Sequence, residues 1–173
     1  LDRAAAGRAA QRFVAPIGAY DPAILEEMRG IAEGADLPFA DVLAMNCRSE
    51  LMFGTAAVAE CTAFGLQPAI TADGHTYIGQ NWDWAPDAAE TVAVVIIEQE
   101  PERPDILLMD EVGVVGRLGL NSAGLALVTN TILGEQGAPD GVPYNVLLRG
   151  VLNQRRLDDA IGALIRHPRA ISS

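Results

Sequence analysis

Two thiols, two imidazoles and one run of indoles, amides and a carboxylate are the groups in this 173-residue chain best suited to covalent chemistry. Cys61 opens Cys61-Thr62-Ala63-Phe64, and Cys47 lies in Met45-Asn46-Cys47-Arg48-Ser49-Glu50. A thiol attacks as the thiolate, so it needs a base or a positive neighbour. His75 and His167 are the only imidazoles, and neither stands at a spacing that ties it to a cysteine. His75 follows the turn signal Asp73-Gly74, where an exposed polar residue is expected. His167 precedes Pro168 at a predicted helix end, where its charge suits the helix dipole. A Cys–His dyad is conceivable, but the spacing does not favour it. By residue type alone a free cysteine is a small buried apolar side chain. That reading suits Cys47, inside a predicted helix where neighbouring positions such as Arg48 do not face it.

The run Gly79-Gln80-Asn81-Trp82-Asp83-Trp84 has two readings. It is a strand end whose tryptophans pack in the core while Asp83 caps a turn, or it is a pocket wall in which Asn81 or Asp83 orients a reacting group. Asn121, in Asn-Ser-Ala-Gly, has the signature of a turn. Asn130 falls near the end of an apolar strand, where its amide must find partners in the backbone or on an anionic intermediate.

Composition removes several classes. All 12 basic residues are arginine, which excludes a lysine nucleophile or Schiff base and a Walker-type phosphate loop within the chain. A formal charge of −11 argues against binding nucleic acid or anionic lipid. No histidine pair or Cys-x-x-Cys has metal spacing, and no cofactor is indicated. No apolar run is long enough to span a bilayer. Two cysteines and no visible signal peptide suit a reducing, cytoplasmic setting.

The elements that must position these groups come in three blocks. Residues 2–14 are rich in helix formers. Asp21-Pro22 reads as a cap and first turn of a second helix ending near Gly34. Asp36 and Pro38 open a third, running to about Leu51, and 54–60 reads as a loop. Strands follow at 61–66, 75–84, 91–99, 106–109, 112–120 and 125–132, with Asp73-Gly74 and Asn121 to Gly124 as hairpin turns. The apolar run Val92 to Ile97 is expected to be covered on both faces. After a Gly/Pro-rich loop at 134–143 two helices return. Helices, then strands, then helices indicate an α+β fold rather than a doubly wound parallel sheet.

Taken in order, Cys61 to Phe64, Gly79 to Trp84 and Gly119-Leu120-Asn121-Ser122-Ala123-Gly124-Leu125 resemble the isopenicillin N acyltransferase (acyl-coenzyme A:6-aminopenicillanic acid acyltransferase) family of cysteine N-terminal-nucleophile enzymes. Upstream, 27–35 and 46–50 resemble its leader region; downstream, Gly141-Val142-Pro143 before a helix also fits. The resemblance implies a four-layer αββα sandwich, a leader or α-subunit segment at 1–60, and the first part of the nucleophile domain at 61–173. It implies self-cleavage between Glu60 and Cys61, which frees an amine whose reference pKa of about 7.7–8.0 lets it serve as the base.

By that resemblance Cys61 attacks an amide or thioester carbonyl, and Asp83 holds the amine or its neighbours. Asn130 and Thr129 line the oxyanion or substrate position, beside pocket candidates Asn81, Trp82 and Trp84. The partners are a small N-acyl or acyl-thioester substrate and the remainder of the precursor chain. The family's principal oxyanion Asn and a later Arg have no counterpart here, so the chain reads as part of the sandwich only. A conventional cysteine hydrolase without cleavage, and an inactive fragment serving as a packing module, are the competing expectations.

Overall fold

The computed structural model describes residues 1–52, 61–130 and 137–171. Helices α1 (Arg3–Ala10), α2 (Val14–Tyr20), α3 (Pro22–Gly34), α4 (Phe39–Asn46) and α5 (Arg48–Met52) come first. Strands β1 (Cys61–Leu66), β2 (Tyr77–Trp82), β3 (Val92–Ile97), β4 (Ile106–Glu111), β5 (Leu118–Asn121) and β6 (Ala126–Leu127) follow, then α6 (Tyr144–Leu152) and α7 (Leu157–Ile165). The strands form two antiparallel sheets, β1-β2 and β3-β4-β5-β6. The chain is thus α+β, as the block order indicated.

Local chemistry explains most boundaries. Asp21 caps α3 by accepting from the Ala23 N–H at 3.0 Å, with Pro22 in the first turn. Asp36 does not cap α4 as expected: it takes a left-handed φ of 53°, and Pro38 stands at the cap. In the β1-β2 loop Gly74 has φ +70°, and Asp73 accepts from the His75 N–H and the Tyr77 hydroxyl. Asn121 does more than turn the chain. Its carbonyl oxygen accepts from Ala123 and Leu125, while its NH₂ donates to the Leu152 and Gln154 carbonyls at the end of α6. One side chain thereby closes the β5-β6 hairpin and caps a helix.

A helical core forms around Phe13, Ile17, Met28, Leu43, Cys47 and Val146, all fully buried. A smaller cluster joins one face of the four-stranded sheet to α6 through Ile106, Leu108 and Leu152. The expected long strand at 112–120 is shorter, because the first helices capture its beginning. Asn46, itself buried, donates to the Gly113 carbonyl and accepts from the Val115 N–H at 2.8 Å. Val114 and Val115 are drawn into the core, and pairing resumes at Leu118. Further bonds tie the first helices to the later elements. Arg149 is bidentate to Glu27 (2.9 and 2.8 Å), and Glu50 accepts from the Tyr144 N–H at the start of α6. Pro143 offers α6 no side-chain cap, so α5 supplies one across the fold.

The run Val92 to Ile97 is not covered on both faces. It forms edge strand β3, and Val94 and Ile96 are 67% and 70% exposed. Register places Val94 beside Met109 and Ile96 beside Leu107, so the face opposite α6 carries an apolar patch. No residue of the run is fully buried: on the α6 side Ile97 packs against Ile106, Leu108 and Leu152, while Val95 is still 41% exposed.

Candidate active site

The β1-β2 hairpin carries the nucleophile candidate. Its register sets Cys61 opposite Trp82, Thr62 opposite Asn81 and Ala63 opposite Gln80. Directly paired residues share a face. Cys61, Ala63, Gln80 and Trp82 therefore lie on the half-buried face, and Thr62 and Asn81 on the exposed one. Of the two cysteines, Cys47 is buried in the helical core with its thiol pKa pushed well up by burial, whereas Cys61 is half-buried. Of the two thiols, Cys61 is the one that solvent reaches.

Gln80 links this hairpin to the stretch that follows β6. Its amide donates to the Thr129 carbonyl (2.5 Å) and accepts from the Thr129 N–H (2.8 Å), as a neighbouring strand would. The Thr129 hydroxyl accepts from the Tyr144 hydroxyl at 2.6 Å. Asn130 follows, exposed, at the end of that stretch. An apolar hollow of about 250 Å³ opens beside Thr129 and Asn130, lined also by Leu127, Leu147, Leu148 and Arg169.

Trp82 and Trp84 stack on each other with centroids 6.1 Å apart, and both are half-buried. The Arg117 guanidinium lies 4.2 Å from the Trp82 ring and 5.6 Å from that of Trp84. Arg48 lies 5.0 Å from the Trp84 ring and pairs with Glu111. Cations over indole faces are held by the ring quadrupole. Beneath them Asp110 is 3% exposed; burial pushes its carboxyl up to about 6 against the pull of Arg117 and Arg48. Burial likewise lowers the pKa of Arg117, while Asp110 opposes the shift.

The structure thus brings Cys61, Trp82, Trp84 and, through Gln80, Thr129 and Asn130 into one region. Asp83 and Asn81 are exposed, and no hydrogen bond joins Asp83 to Cys61 among the described residues. Glu60, and with it the expected cleavage point, lies outside the described residues. His75 is paired with Asp73 at 3.3 Å on the exposed loop, and His167 packs edge-on to Tyr20. Asp110, Arg117 and Tyr144 are not singled out by the sequence, and Gln80 only as a member of the run from Gly79 to Trp84. Asp110 had a signal: it continues the buried period-two series Ile106, Leu108 in β4. Arg117 had none, because its stacking depends on two segments remote in sequence.

Residues 70–173 match the family of acyl-coenzyme A:6-aminopenicillanic acid acyl-transferase. This chain belongs to that family. The matched stretch contains Asn81 to Trp84, Thr129 and Asn130; Cys61 precedes it. Among curated proteins, the acyl-coenzyme A:6-aminopenicillanic-acid-acyltransferase 40 kDa form of Emericella nidulans is 30% identical over 145 residues. That alignment covers 83% of this chain and 39% of the relative, so the chain spans well under half the length of that acyltransferase. Within this acyltransferase-family chain, no helix of the described residues is long and apolar enough to cross a membrane.

Proposed function

We propose that this protein is a self-cleaving cysteine N-terminal-nucleophile acyltransferase or amidohydrolase, cut between Glu60 and Cys61. The observation that carries the reading is the position of Cys61. It is the first residue of β1, opposite Trp82 and outside the helical core, in a chain of an acyltransferase family. Among the described residues no hydrogen bond joins either histidine to it; His75 pairs with Asp73 and His167 packs on Tyr20. An α-amino group freed at Cys61 supplies a base on the same residue.

In this mechanism the amine takes the thiol proton as sulfur bonds to the carbonyl carbon of an amide or thioester. The tetrahedral oxyanion is met by Asn130 and the backbone near Thr129. Collapse breaks the bond to the leaving amine or thiol, which departs with the proton. Water then hydrolyses the acyl-Cys61 thioester, or an amine takes the acyl group. Asp83 holds the amine once residues 60 and 61 are parted. The finer architecture belongs to the same reading: a leader at 1–60, a nucleophile domain beginning at 61, and an αββα sandwich completed by the remainder of the precursor chain.

N-terminal sequencing and intact mass of the full-length gene product test this. A terminus reading Cys61-Thr62-Ala63, lost in Cys61→Ala, is the expected result. Folded, full-length protein that stays intact across 60–61 overturns it and leaves a cleavage-free cysteine hydrolase or an inactive packing module.

A further inference from the structure

Cys61 lies in the β1-β2 sheet and Asn130 in the stretch that follows β6 of the other sheet, and among the described residues no strand pairing sets their spacing. An oxyanion donor must hold its place to within a fraction of an ångström, and misplacement by about 1 Å costs about 10²-fold in rate. Some contact must therefore fix that stretch against the hairpin. Gln80 is on the same face of the hairpin as Cys61, and both polar ends of its amide are bonded to the backbone of Thr129, next to Asn130. Tyr144 holds the same residue from α6 through its hydroxyl.

We propose that Gln80 is a positioning residue that fixes the Thr129–Asn130 stretch relative to the Cys61 hairpin, with the Tyr144 hydroxyl as the second fastening. This rests on the reading of Cys61 as the nucleophile. Geometry makes the amide specific. A donor and an acceptor are needed side by side, one for the Thr129 carbonyl and one for its N–H. Leucine offers neither, and ionised glutamate offers the acceptor while setting negative charge against the carbonyl. Gln80 touches neither sulfur nor a substrate carbonyl in this role. Its loss slows attack without abolishing binding or making the thiol inert.

The test uses full-length protein and p-nitrophenyl hexanoate as acyl donor. The Cys61 sulfur bonds to the ester carbonyl carbon, the ester C–O bond breaks, and p-nitrophenolate leaves. The burst of nitrophenolate measures acylation; alkylation by iodoacetamide measures thiol reactivity without an oxyanion. For Gln80→Leu and Gln80→Glu the burst rate is expected to fall about 10–100-fold. KM and the iodoacetamide rate should stay within about twofold, and Tyr144→Phe should give a smaller loss. A wild-type burst rate in folded Gln80→Leu overturns the proposal. So does a proportional loss in iodoacetamide rate, which signals general disruption; should Gln80→Leu not fold, Gln80→Glu is judged by the same two rates. Failure of the underlying reading looks different: wild-type protein then shows no burst and no hexanoyl adduct on Cys61.

Discussion

Asp110 is a carboxyl whose chemistry is altered by its buried environment. It lies on the buried face of β4 with one carboxylate oxygen unbonded among the described residues, and its carboxyl is pushed up to about 6 by burial. The folded chain therefore keeps a proton that the unfolded chain loses between about pH 4 and 6. Stability contributed by this proton is present below that window and falls as pH rises through it. Glu50, also raised chiefly by burial, acts in the same direction. Asp110→Asn should flatten the pH 4–7 profile of the melting temperature and stabilise the protein at pH 7 by on the order of 1 kcal/mol. A profile that overlays the wild type would remove Asp110 as its source.

At the scale of elements, the helices before residue 52 and the sheet-bearing remainder are joined through buried polar contacts. Arg149 on α6 is 2% exposed and bonds Glu27 on α3 and the carbonyl of Val115. Removing one member of such a pair leaves the others desolvated. Arg149→Ala should cost about 3 kcal/mol in urea unfolding, whereas Arg156→Ala, in the exposed pair with Asp158, should leave the urea midpoint where it is. Cross-element bonds of this kind also mark where sequence reading stopped. The α3 cap at Asp21-Pro22, the β1 strand and the turn at Asn121 were legible because each depends on a few adjacent residues. Shortening of the fifth strand was not, since it depends on Asn46, remote in sequence, reaching the 113–115 backbone. Likewise the motif Gln80 to Trp84 was visible in the sequence. That Gln80 turns to the stretch after β6 while Asn81 and Asp83 are exposed follows only from the folded arrangement.

Taken whole, the chain has a well-filled helical half and a sheet whose face opposite α6 is largely uncovered. Val94, Ile96, Leu107, Met109 and Leu120 are each exposed by more than a third, and Val94 and Ile96 lie on an edge strand. Exposed apolar edges are templates for association. Residues 1–173 expressed alone should self-associate in light scattering, and Val94→Lys with Ile96→Lys should suppress it. Scattering unchanged by the double substitution would place the sticky surface elsewhere. The charge of −11 opposes association only as a diffuse, salt-screened repulsion.

The stacked Trp82–Trp84 pair has an optical consequence. These are the two tryptophans of the 173 residues, and both stand at the corner where Cys61 faces Trp82 across the hairpin. Light absorbed at the red edge of the indole band is therefore absorbed within one small region of this chain. The emission colour and lifetime of that region depend on the thiol opposite, the guanidinium of Arg117 above and the water admitted between them. The nucleophile candidate carries its own built-in fluorophore, which can follow events at the sulfur in real time without a label.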